Sequence, residues 1–183
     1  MNIKEAVSQI ILSVEKDFRP GTVKTPERVE KAYSEMLDGY DTDIDSLFTM
    51  FDGEGTDQII IVKDINFWSM CEHHLLPFEC IAHVAYLPLD KVIGASKIPR
   101  LLMAYAHRLQ IQERITSQTA ESLMSHLHPR GVAVIIEGVH LCMKCRGIKN
   151  PSSKLITSVM LGEFRDDARL RAELLALLGI KNG

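Results

Sequence analysis

The chain has 183 residues, of which 46% are hydrophobic and 25% charged, and its formal net charge is -3. That length supports one domain with room for a helical appendage, and a core that needs no disulfide or structural metal to hold it. The composition excludes disorder as the default, and the mild negative charge excludes a general attraction to nucleic acid or an anionic membrane. An anionic ligand would have to meet a local cluster of cations.

Ile3, Val7, Ile10, Ile11 and Val14 recur at helical spacing until Phe18-Arg19-Pro20-Gly21 interrupts them. A second helix is predicted from Thr25-Pro26, with Thr25 as N-cap and Pro26 at the first helical position, to about Asp38-Gly39. Residues 40–57, with many Asp and Gly, read as a connector containing a short helical piece. At Gln58 the period changes. The run Ile59 to Val62 predicts a strand that resumes after a turn toward Phe67 and Trp68, and Phe78 to Leu87 predicts a second.

Lys97 to Leu109 predicts an amphipathic helix with Ile98, Leu101, Leu102, Tyr105, Ala106 and Leu109 on one face. Another helix follows from about Gln112 to Leu127, stopped by His128-Pro129-Arg130-Gly131. Val132 to Cys142 predicts a strand, with Leu155 to Leu161 beside it, and Asp167 to Leu178 a closing helix ended by Gly179. Helices, two strands, two helices, two strands and a helix make an α+β pattern. The apolar runs at 59–62 and 132–136 are too short to span a bilayer, and Met1 to Glu5 shows no signal-peptide pattern, so a cytoplasmic protein is expected.

In a reducing compartment, Cys71, Cys80, Cys142 and Cys145 favour thiols or metal ligands over disulfides. Within CEHHLLPF, Cys71 and His74 have the two-residue separation common among zinc ligands, and Cys142 and Cys145 repeat it. Spacing alone leaves two readings open: a closed Cys3His structural site, or an open site with a position for water. His73 adjoins His74, and in a strand ending at Cys142 the alternation would set His140 on the side of Cys142. Two spare imidazoles beside a metal favour the open, hydrolytic reading, because hydrolysis needs an acid and a base titrating near neutrality.

Ser96, Lys97 and Arg100 stand at the start of a helix, where cations oppose the dipole; taken alone they read as solvated surface charges or as a site for an anion, phosphate being the natural one. Glu113, in Gln112-Glu113-Arg114, could accept two parallel N–H bonds from a guanine edge. Arg146, and Arg28 with Lys31 on one face of the second helix, are further cations.

Taken together these stretches resemble the type I GTP cyclohydrolases: TPERVEKAYSEMLDGY (25–40), VKDINFWSMCEHHLLPF (62–78), HVAYLPLDKVIGASKIPRL (83–101), RLQIQERIT (108–116), GVHLCMKCRGI (138–148) and SVMLGEFRDD (158–167). The resemblance implies conversion of GTP and water to formate and 7,8-dihydroneopterin triphosphate, a product that feeds folate, biopterin and, in some organisms, deazaguanine bases. It implies Zn2+ held by Cys71, His74 and Cys142, with the fourth position left to water and Cys145 not required. His73 would protonate purine N7, and His140 and Ser96 would move protons during ribose opening and ring closure. Glu113, supported by Gln112, would select guanine. Lys97, Arg100 and Arg146, with Arg28 and Lys31, would face the triphosphate.

The implied fold is the tunnelling fold, a ββααββ unit (56–183) preceded by an N-terminal helical region (1–55), closing into an oligomeric barrel. The family's homodecamers place active sites at subunit interfaces. Two positions depart from its pattern: Cys80 stands where Gly is usual, and Ala95 where Leu usually precedes Ser-Lys. The rival from another class, a structural Cys3His protein, predicts that Cys145→Ser loses the metal.

Overall fold

The computed structural model describes residues 1–180. The chain opens with α1 (Ile3–Glu15), started by a capping box in which Asn2 accepts the Glu5 N–H and Glu5 accepts the Asn2 N–H. α2 (Thr25–Met36) lies against α1 and is tied to it by Lys4–Glu27 at 2.9 Å. Thr25 is the first helical residue, and the N-cap is Lys24. The Thr25 N–H already bonds the Thr22 carbonyl at 3.0 Å, so the chain is curled before the predicted cap. α2 also stops earlier than expected, giving way to a 3-10 turn at Asp38–Asp41.

Two strand pairs flank two helices. β1 (Met50–Asp52) is followed by β2 (Ile60–Cys71), β3 (Pro77–Leu87) and β4 (Lys91–Ile93). Next come α3 (Lys97–Ala106), β5 (Leu109–Gln110), α4 (Gln112–Leu127) and β6 (Gly131–His140). α5 (Leu141–Lys144), β7 (Leu155–Gly162), α6 (Glu163–Asp166) and α7 (Ala168–Leu178) complete the chain, with Gly179 in a left-handed C-cap. The main sheet runs β5-β2-β3-β6-β7, antiparallel except where β5 joins β2. This is the expected α+β fold with its ββααββ order.

Four predicted boundaries change. The apparent turn after Val62 is a bulge inside one strand: register shifts between Val62 and Ile65, Asp64 takes φ 59°, and its N–H bonds His83 Nδ1 at 3.2 Å. α3 ends at Ala106, because Ser69 Oγ donates to the Ala106 carbonyl (2.6 Å) and Leu109 leaves the helix face to pair with Met70. β6 ends at His140 and Cys142 lies in the one-turn helix α5, so strand alternation does not relate the two. β1, from the stretch assigned to the N-terminal region, pairs with β4 to form a small second sheet. The final residues of the 56–183 unit, 181–183, lie outside the described residues.

One face of the main sheet is closed by α3 and α4. Phe67, Phe78, Val84, Tyr86, Val134 and Ile136 meet Ile98, Leu101, Leu102, Ile115 and Leu123, all buried. Each such side chain contributes about 1.5–3 kcal/mol by leaving water. At one end of the opposite face, Ala85, Leu87 and Ala133 are covered by Phe164 and Leu174; elsewhere on the sheet Ile81 and Ile156 remain exposed. Among the described residues no helix is long and apolar enough to cross a membrane.

Candidate functional site

The register of the sheet brings the ends of β2, β3 and β6 together: Met70 is opposite Pro77, and Phe78 is opposite His140. CEHHLL is the tight connection from β2 to β3. The Cys71 N–H bonds the Leu76 carbonyl, the His74 and Leu75 N–H groups turn back to the Cys71 carbonyl, and Leu75 takes φ 52° to close the loop. Arg114 of α4 grips Glu72 through two parallel bonds of 2.6 and 3.1 Å, and the Glu72 N–H bonds the Gln110 carbonyl. That grip holds the Glu72 carboxyl below its ordinary value. Tyr33 of α2 donates to the Leu75 carbonyl at 3.2 Å, which docks the second helix on the same loop.

Cys71 Sγ, a His74 ring nitrogen and Cys142 Sγ lie within 4.8 Å of one another. The Cys71 Sγ to His74 Nδ1 separation is 3.6 Å. Tetrahedral zinc with ligand bonds of about 2.3 Å to sulfur and 2.0 Å to nitrogen requires an edge of about 3.6 Å, so the pair is already at ligand spacing. Two thiols and an imidazole also match the ion's preference for soft donors. Burial, followed by the neighbouring Cys71, pushes the Cys142 thiol up, and a divalent cation would reverse that by favouring thiolate. The donor set therefore fits a zinc ion. Cys145 is exposed and ends α5, outside this cluster.

A cavity of about 170 Å³ opens on the cluster, lined by Cys71, His73, His74, Glu113, His140 and Cys142 among others. His73 is exposed, its Nε2 3.8 Å from Glu72 and its Nδ1 4.0 Å from Cys71 Sγ. His140 is half-buried and stacked on Phe78, with ring centroids 4.3 Å apart; desolvation lowers its pKa, against an opposing pull from Glu113. Glu113 is exposed at the mouth, in the first turn of α4.

The remaining sequence-predicted residues are placed elsewhere. Ser96 occupies the N-cap position of α3 but makes no side-chain cap bond. Arg100 borders a separate hollow with Asp38, Leu47 and His107. Arg28 and Lys31 are exposed on α2, Lys31 lying 3.9 Å from Glu35, and Arg146 is exposed beyond α5. Gln112, expected to support Glu113, lines the same cavity and is fully buried, bonding to protein groups at both ends of its amide. Sequence reasoning missed Glu72 and Arg114 as a pair, and Gln110, which also bonds Arg114 at 3.3 Å. Their opposite charges were visible, but only the fold shows that the loop after β2 meets α4.

The family model described as GTP cyclohydrolase I matches residues 3–179. Among similar proteins, "GTP cyclohydrolase 1" of Caldanaerobacter subterraneus subsp. tengcongensis is 46% identical over 98% of this chain and 96% of its own length. "GTP cyclohydrolase 1" of Bacillus subtilis (strain 168) is 47% identical over 94% and 92%. A looser likeness, with TM-score 0.46 and 14% identity over 57% of this chain and 93% of the other, is to the archaeosine synthase QueF-Like in the apo form.

Proposed function

The chain belongs to the GTP cyclohydrolase I family, and on that premise we propose that it is a zinc-dependent enzyme that opens the imidazole ring of GTP, releases formate and rearranges the remainder to 7,8-dihydroneopterin triphosphate. The observation that carries this reading is the convergence of Cys71, His74 and Cys142 on a cavity that also holds His73, His140 and Glu113. Zinc bound by those three ligands would supply a Lewis acid and a nucleophile at neutral pH.

The chain's own groups divide the remaining work. His73, exposed beside the Glu72 carboxylate, is suited to carry a proton to purine N7, which makes C8 electrophilic. Glu113 at the cavity mouth accepts the guanine N1–H and 2-amino hydrogens, a pair of donors adenine does not offer. His140, held against Phe78, moves protons while the ribose opens and the pterin ring closes, with Ser96 as its partner in that stage. Lys97, Arg100 and Arg146, supplemented by Arg28 and Lys31, take the triphosphate.

A cavity of about 170 Å³ is smaller than the roughly 300–1,000 Å³ of pockets that enclose a whole ligand. Ser96 and Arg100 are also absent from its lining. Both points support a site completed by neighbouring copies, in a homodecamer whose sheets join into a barrel around the 56–183 units. The four free thiols accord with a cytoplasmic setting, and the product would enter folate and one-carbon metabolism or deazaguanine synthesis. The test is to incubate the zinc-loaded protein with GTP and assay formate together with a fluorescent oxidised neopterin. Equal yields of both support the reading, and neither product from metal-replete protein overturns it.

A further inference from the structure

Gln112 is the first residue of α4 and has no exposed surface. Its Nε2 donates toward the Ile136 carbonyl (3.0 Å), the Leu155 carbonyl (3.0 Å) and Thr157 Oγ1 (3.1 Å). Thr116 donates its hydroxyl to the Gln112 backbone carbonyl at 2.8 Å, so the 2.7 Å contact between Thr116 and Thr157 must use the Thr157 proton. Thr157 is then left with lone pairs for Nε2. Two backbone carbonyls and a committed hydroxyl, all acceptors, fix which end of the amide is nitrogen.

The oxygen end therefore faces the other way. Oε1 lies 3.1 Å from His140 Nε2 and 3.7 Å from the Cys80 thiol. The backbone has been cleared for it: a Cβ at Gly138 would stand 2.0 Å from Oε1 and 2.8 Å from Cys80 Sγ. Phe78 fixes the plane of the His140 ring by stacking at an interplanar angle of 8°. A carbonyl oxygen only accepts, so the imidazole must present Nε2–H to it. A neutral imidazole carries one N–H, which leaves the lone pair on Nδ1.

Building on the role assigned to His140 above, we propose that Gln112 is a positioning residue that fixes the His140 ring as the Nε2–H tautomer and so leaves Nδ1 as the nitrogen available to the substrate. Cys80, at the position where the family pattern has glycine, adds a second donor to the same oxygen and opposes rotation of the amide.

The experiment is nitrogen-15 spectroscopy of the zinc-loaded protein labelled at histidine, with His140 assigned by its loss in His140→Asn, alongside kcat and KM for GTP in Gln112→Met. The expected wild-type signal is neutral His140 protonated at Nε2 alone. In Gln112→Met the signal should move toward a mixture of tautomers, and kcat should fall about 10- to 100-fold with zinc retained and KM within about threefold of wild type. A wild-type His140 protonated at Nδ1 overturns the lock, whether or not the variant folds well enough to assay. A raised KM with unchanged tautomer overturns it in favour of a direct contact with the purine. Failure of the wild-type enzyme to release formate from GTP instead removes the proton-transfer role, while the wild-type spectrum still tests the lock by itself.

Discussion

Around the β2–β3 connection, the polar groups find partners within one chain: Arg114 holds Glu72, Gln112 bonds His140, and three ligand atoms converge. Around the start of α3 they do not. Ser96 makes no cap bond, and Lys97 and Arg100 enter none of the ion pairs among the described residues. The first region is held in place by its own bonds, and the second is a group of cations at a helix N-terminus without an ion-pair partner among the described residues, the arrangement the proposed triphosphate contact would need. On the proposed function, the fold of one chain would build the reacting centre, while triphosphate binding would be left to an assembled state.

The largest effect should come from removing a thiol ligand. Cys71→Ser or Cys142→Ser is expected to lose zinc, measured by elemental analysis, and to lower turnover by about a thousandfold or more, whereas Cys145→Ser should keep the metal. Next come the adjacent histidines: His73→Ala should retain zinc and lose about 10²- to 10⁴-fold in kcat, while His74→Ala should lose the metal. Metal loss in His73→Ala with retention in His74→Ala would reverse the two roles.

The second region is tested by Lys97→Ala, expected to raise KM for GTP about 10- to 100-fold through loss of a charge-assisted contact, with zinc content unchanged. Mixing this variant with Cys142→Ser protein under conditions that exchange subunits should restore activity if sites are shared between copies. No recovery would place the whole site in one chain. The smallest effect concerns what holds this turn. His126 bonds Asp45 at 2.9 Å and stacks on Phe48, fixing the segment that leads to Thr49, whose carbonyl accepts the Gly94 N–H.

The His126 pKa is raised above its ordinary 6.5, first by the bond to Asp45. Its charged form is thus favoured in the folded protein, so this contribution to stability is complete below the ordinary value and disappears as pH rises through the raised native value. Thermal unfolding followed across that interval should show a declining midpoint in wild type that is flattened in His126→Gln.

Much of this was legible in the chain. The helical spacing of Ile98 to Ala106 and the unbroken apolar run from Val132 to Ile136 identified elements whose burial the fold confirms: the first has one apolar face, and the second is a strand buried on both faces. β1 and β4 escaped notice because strands of three residues carry no readable period. Nothing in GVHLCMK announces a helical turn at Cys142, yet the sheet register still delivers it to Cys71. The place of Gln112 beside Glu113 in the chain says nothing of the bonds its amide makes. Only the pairing of β6 with β7 shows the Ile136 and Leu155 carbonyls that claim its nitrogen.

The proposed hydrolysis needs an open metal centre, and X-ray absorption at the zinc edge of the fully loaded protein tests this most directly. The expected first shell is two sulfurs at about 2.3 Å with one imidazole nitrogen and one oxygen at about 2.0–2.1 Å, from Cys71, Cys142, His74 and solvent. A shell of three sulfurs and one nitrogen, lost on Cys145→Ser, would contradict it and return the site to a structural role.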